Sequence, residues 1–186
     1  MVKYPTLANQ PENMKDIIYV GLDEMFKALE ESFADLSDDQ IWANELPNRH
    51  NIGTLVLHVQ ENIDRHACKF QIGRFALVHE DRFAIFEKPL VDERRTVDLP
   101  SVEEILGRHY QLRDTVVPGL ADVGDKELLE PRAGKNEYWW QQHRRNSIQG
   151  YMRVIWHANA HLRQIWAIRG AMGAYGPNGW PHQYWH

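Results

Sequence analysis

The chain has 186 residues, 43% of them apolar and 25% charged, which suits one globular domain with a sizeable core and excludes a disordered chain. Its 21 basic and 26 acidic residues leave a net charge of −5 with no basic block, so nucleic acid is not an expected partner. No apolar run approaches ~20 residues, and the opening MVKYPTLANQPENMKD has no apolar core of signal-peptide length, so neither a membrane span nor a signal is expected.

Ile18, Leu22, Met25 and Leu29 recur at helical spacing, with Phe26 and Phe33 alongside. They predict a first long helix from about Glu12 to Asp35, with Pro11 in its first turn. Ser37-Asp38-Asp39-Gln40 reads as a capping box that opens a short helix through Trp42, before Pro47 and Asn48 break the chain. Ile52, Leu55, Val56, Val59, Ile63, Ala67 and Phe70 predict a second long helix from Asn51, as N-cap, to about Arg74. Residues 75–100 mix aromatic side chains, charges and two prolines and read as a long crossover whose first part could continue helix two, with short strand-like pieces such as Phe83-Ala84-Ile85-Phe86 but no sheet expected.

Ser101 and Glu104 form a second capping box just after Pro100. Ile105, His109, Leu112, Val116, Leu120 and Val123 carry the third long helix to a stop at Gly124, and Pro118 predicts a kink or an early end within it. The fourth runs from about Arg145 to Gly170, with an apolar arc of more than half its circumference, so it is expected to be central. The tail, residues 173–186, is rich in Gly, Pro and aromatic residues and is expected to pack back on the domain or on a second copy. Residues 1–186 thus read as a single all-α domain, a four-helix bundle. The long middle connection leaves helices two and three free to lie parallel.

The chain holds seven Trp, ten His and one Cys, Cys68. A lone cysteine excludes an internal disulfide and a cysteine zinc site, and with no signal it points to a reducing compartment, the cytoplasm. The sharpest local pattern is Trp156-His157-Ala158-Asn159-Ala160-His161. Histidines at i and i+4 project from one helix face, where one metal ion can take both. The zinc-protease motif has that spacing with a Glu inside it; here the intervening residues are Ala, Asn and Ala, so that reading fails. On a helical wheel His157 and His161 fall beside Val154, Ile165 and Ile168 on the flank of the buried arc, and Asn159 falls within it. A third ligand must come from another helix. His58, His66 and His109 are the candidates, and periodicity does not separate them; a hydrogen-bonded core histidine is the simpler reading for His66 and for His109.

Several of these words resemble a known family. Asn51-Ile52-Gly53-Thr54-Leu55-Val56-Leu57-His58 resembles the helix-two signature of the DinB/YfiT-like superfamily, in which such a run leads to a metal-ligand histidine. His157-Ala158-Asn159-Ala160-His161-Leu162-Arg163-Gln164-Ile165, with Arg169-Gly170 after it, resembles the helix-four signature, and Leu36 to Trp42 fits the link between helices one and two. The resemblance covers nearly the whole chain in helix order; its specific part is one His and one H-x-x-x-H pair. The chain departs at Arg163, where Gly is common, and its tail has no counterpart. Arg163 either crowds the site or points to solvent.

The resemblance implies an up-down-down-up bundle holding a nickel or zinc ion on His58, His157 and His161. It selects His58 over its two rivals. It also implies a metal-dependent thiol S-transferase or hydrolase acting on a small-molecule substrate, with a low-molecular-weight thiol as co-substrate. Three imidazoles leave open positions on the ion, as catalytic zinc sites do. No catalytic general base is nominated. Asn62 lies on the His58 side of its helix and is a candidate to support a ligand, as is Asn159. Trp139, Trp140, Trp156 and Trp166 either wall a pocket or pack the core. Glu61 reads as a solvated charge, and Cys68 as no nucleophile. The competing reading is a non-catalytic bundle with a structural metal, associating through its Trp-rich ends; a homodimer suits both readings.

Overall fold

The structure, a computed structural model, describes residues 11–44, 50–83, 98–130 and 146–176. Among the described residues every regular element is helical and no strand occurs. The elements are α1 (Met14–Glu31), α2 (Asp38–Trp42), α3 (Ile52–Ile63), α4 (Val102–Ala121), α5 (Asp125–Leu129) and α6 (Ser147–Ala171). No helix among the described residues is long and apolar enough to cross a membrane. Pro47, Asn48, residues 84–86, Trp139, Trp140 and residues 177–186 of the tail lie outside the described residues.

The helix starts follow the caps. The Ser37 and Ser101 hydroxyls accept from the backbone N–H of Gln40 and Glu104, and the side chains of Gln40 and Glu104 return the bond to the serine N–H groups. Asn51 accepts from the Thr54 N–H at 2.8 Å. Two caps went unread: Asn13, which starts α1 at Met14 and leaves Pro11 ahead of the helix, and Asn146, which starts α6. Gly124 does not simply stop α4. It caps the short α5, whose polar sequence carries too little periodicity to announce it. Pro118 does not end α4 early either, because it falls in the last turn, where only one turn of helix follows.

The second long helix departs most from its expectation. After Ile63 the chain continues as π-helix from Asp64 to Ile72 and ends at Gly73, whose φ of 91° is a left-handed conformation that glycine adopts without strain. The wider turn leaves the Asp64 carboxylate, fully buried, to accept from the N–H groups of Ala76 at 2.6 Å and Leu77 at 3.2 Å. This ties the following loop to the helix. Residues 81–83 form a 3₁₀ turn.

The core gathers Leu22, Phe26, Leu29, Phe33, Val56, Ile63, Ile105, Leu112, Tyr151, Ala158 and Ile165 from the four long helices. α1 packs on α4 and α6, and α3 packs on the same two. The contacts give each pair its sense. Gly21 faces Ile155, and Glu31 and Ser32 face Arg169, so α1 and α6 run in the same direction. His58 faces His157, and Gln71 faces Gly150, so α3 and α6 run in opposite directions. Gln60 bonds to Ile105, and Ile72 faces Gly119, so α3 and α4 run in the same direction. Trp42 locks the upper corner: its ring fills the space a Cβ on Gly53 would need, and its Nε1–H donates to the Pro100 carbonyl at 2.8 Å.

At the same end of the long helices, Arg169, 1% exposed, ties α6 to the end of α1. Its Nε donates to the Ala174 carbonyl at 2.8 Å, Nη1 to the carbonyls of Glu31 and Ser32, and Nη1 and Nη2 to the two oxygens of Asp35 at 2.6 and 2.8 Å. The paired guanidinium holds the Asp35 carboxyl below its ordinary pKa. Arg169→Met keeps much of the stem and removes all these donors. The expected loss is about 3 kcal/mol, the low end for breaking a buried pair, because the Asp35 side chain is itself 40% exposed. It should read as a lower urea midpoint at unchanged slope; an unchanged midpoint would show that the network carries no net stability.

Candidate metal centre

α6 presents His157 and His161 one turn apart on the flank of its buried face, which is centred on Ala158, Leu162 and Ile165. α3 presents His58 from a segment otherwise buried on nearly every side, from Ile52 to Gln60. All three histidines are half-buried. The ring centroids of His58 lie 4.8 Å from His157 and 4.9 Å from His161, and those of His157 and His161 lie 4.6 Å apart. One nitrogen from each ring falls within 4.8 Å of the others, so the three could hold a metal ion.

The nitrogens also fit in detail. Nε2 of His58 and Nε2 of His157 are 3.0 Å apart. A tetrahedral ion with metal–nitrogen bonds of about 2.05 Å separates its ligands by about 3.3 Å, so a small outward shift of these rings admits one. Nδ1 of His161 lies 3.0 Å from the Gln164 amide oxygen. An amide oxygen only accepts, so Nδ1 carries the proton and the Nε2 lone pair is left for the ion. Gln164 was not singled out as a support, although its place three residues after His161 puts it on the same helix face.

Both rivals of His58 are elsewhere. His66 is 4% exposed and stacks on Phe70 at 5.9 Å. His109, fully buried, sits edge-on to Phe26 at 5.4 Å and Phe33 at 6.3 Å, and neither of its nitrogens has a hydrogen bond. The simpler reading of His109 as a hydrogen-bonded core histidine is therefore half right: it is core, without the bond.

Other expected residues land differently. Asn62 is half-buried, with a buried Oδ1 that has no hydrogen-bond partner. Asn159 is exposed, not in the buried arc, because α6 turns Ala158 to the core. Trp156 is 69% exposed, so its ring is on the outer face. Trp166 is partly buried under the Arg169 guanidinium at 4.8 Å. Arg163 is exposed. Glu61 is not a solvated charge: it is 8% exposed, bonded to Arg65 at 2.7 Å and near His79 at 3.6 Å. Cys68 is buried, and burial pushes its thiol well above the ordinary range, against nucleophilic use.

No carboxylate belongs to the donor set. Arg65 bears on His58 and Arg153 on His157, and Arg65 is itself paired with the Glu61 carboxylate at 2.7 Å. Three neutral imidazoles would bring no negative charge of their own to a divalent ion. Comparison with family models, curated proteins and solved structures finds no match to this chain.

Burial, reinforced by neighbouring positive charge, lowers the pKa of His58 to about 4 and of His157 to about 3, and burial lowers His109 to about 4, all from 6.5. Folded-state values below the unfolded one mean that the unfolded chain takes up more protons. The contribution of these rings to stability is thus full above pH 6.5 and is lost as the pH falls toward 4 and 3. In the metal-free protein the ring C–H resonances of His58, His157 and His109 should stay in place from about pH 8 to about pH 5, a range in which an ordinary imidazole titrates. Titration of any of the three with a midpoint near 6.5 would contradict its assigned burial.

Proposed function

We propose that this chain is a DinB/YfiT-like four-helix bundle of up-down-down-up order that binds one divalent metal ion, nickel or zinc, on His58, His157 and His161. The carrying observation is the convergence of one nitrogen from each ring within 4.8 Å, from two different helices. The pairwise senses of the long helices support the bundle order. α1 matches α6, α3 matches α4, and the antiparallel pairing of α3 with α6 brings His58 to the level of the other two.

We further propose an enzyme of the thiol S-transferase or hydrolase type. A divalent ion held by three neutral imidazoles supplies Lewis acidity that lowers the pKa of a thiol or water it binds. An ion whose three protein donors are neutral favours an anionic form of either, which supports a low-molecular-weight thiol as co-substrate alongside a small-molecule substrate. Gln164 orients His161, and the apolar helix faces behind the rings hold them in place.

A second reading, a non-catalytic dimeric bundle with a structural metal, is favoured by the 69% exposure of Trp156 on the outer face of α6, a place where a second copy could cover it.

Elemental analysis of the purified protein should find about one divalent ion per chain, and His157→Ala should lose it. A wild-type protein that is metal-free and cannot be loaded with nickel, zinc or cobalt ends the metal reading. Thermal stabilisation by added thiols that depends on the metal supports the enzyme. Sedimentation as a dimer with no such stabilisation supports the structural bundle, and a monomer in sedimentation removes it.

A further inference from the structure

We propose that Asn62 is the positioning residue for His157, accepting a hydrogen bond from His157 Nδ1–H through its side-chain oxygen when the three-histidine site takes its metal. This inference rests on the three-histidine reading.

The argument starts from tautomers. Nε2 of His58 and Nε2 of His157 lie 3.0 Å apart, the distance of a hydrogen bond, so one of the two carries its proton there. Both Nε2 atoms cannot bind one ion while either keeps that proton. On metal binding the proton moves to Nδ1 of its own ring, with no change in the number of protons held. His157 then has an N–H at Nδ1 whichever ring donated before.

That N–H needs an acceptor. Nδ1 of His157 is buried and has no hydrogen-bond partner, and an unmatched buried donor costs about 1–3 kcal/mol. His161 already has its acceptor in the Gln164 amide oxygen. On the facing helix the Asn62 oxygen is buried and likewise without a partner.

The helix geometry puts the two at one level. α3 and α6 run in opposite directions, with His58 against His157 and His161, and Gln71 further along against Gly150. Asn62, four residues after His58 and on the same face, therefore comes opposite His157 and the turn before it. The other buried oxygens on this helix do not compete. The Gln60 side chain turns to α4, where its amide donates to the Ile105 carbonyl at 2.8 Å. Thr54 is one turn before His58, on the far side from Asn62. Metal-bound histidines regularly hold their second nitrogen this way, and losing the acceptor lowers metal affinity about 10–100-fold.

The experiment measures zinc affinity of the full chain by chelator competition for wild type, Asn62→Leu and Asn62→Asp. Asn62→Leu removes the acceptor at similar size and should bind zinc about 10–100-fold more weakly. Asn62→Asp keeps an acceptor at the same place and should bind at least as tightly as wild type. Ring nitrogen-15 spectra of the zinc-loaded protein give an independent readout: the His157 Nδ1–H should be protected from exchange in wild type and in Asn62→Asp, and unprotected in Asn62→Leu. Equal zinc affinity and equal protection in all three would overturn this proposal alone. A wild-type chain that takes no zinc would remove the three-histidine reading and this proposal with it.

Discussion

The interaction that sets the geometry is the buried Arg169 guanidinium. It satisfies backbone carbonyls at the end of α1, both oxygens of Asp35 and the carbonyl of Ala174 beyond the end of α6. Helix ends leave carbonyls without intrahelical partners, and a buried guanidinium is expensive unless its donors are used. Each problem is the solution of the other, and the planar fork of donors allows little sliding. The axial register of α6 against α1 is set there. From that anchor α6 runs back three turns to His157, so the same contact fixes the height at which its two histidines stand.

α3 meets that height from the other side. Trp42 against Gly53 and the Asn51 cap locate the start of α3, and His58 follows two turns later. The candidate metal centre thus depends on two anchors at the same end of the long helices, neither of which touches it. Between them the imidazoles are half-buried among apolar helix faces, and burial keeps His58 and His157 neutral with their lone pairs available. Among the described residues no carboxylate joins these three donors, so the imidazoles alone would leave a divalent ion's charge to an outside ligand.

Much of the site was legible in the chain because helix spacing is a local property. His157 and His161 at i and i+4, the capping boxes at Ser37 and Ser101, and the Asn51 cap each need only a few residues to be recognised. What escaped has a physical reason in each case. The π-helix after Ile63 has no signature in apolar spacing, so the burial of Asp64 is not legible in the chain. Asn159 and Ala158 are neighbours in sequence about 100° apart around the helix, so the rotation of α6 about its axis settles which one faces the core. Trp156 was a plausible pocket wall by composition, yet the same rotation turns it outward.

By itself the sequence determined an all-helical domain, the starts of its capped helices and a pair of histidines on one helix face, because capping and periodicity act within a few residues. The choice among His58, His66 and His109 was different: all three satisfy the same local pattern, and no spacing within one helix tells which will face another. The family resemblance pointed to His58, and packing supplies the physical ground for it. The antiparallel meeting of α3 and α6 carries His58 to the paired histidines, the π-helix sends His66 onto Phe70, and α4 buries His109 between Phe26 and Phe33. Convergence of three side chains on one point is a property of the relative placement of helices, which long-range contacts such as Arg169 with Asp35 establish.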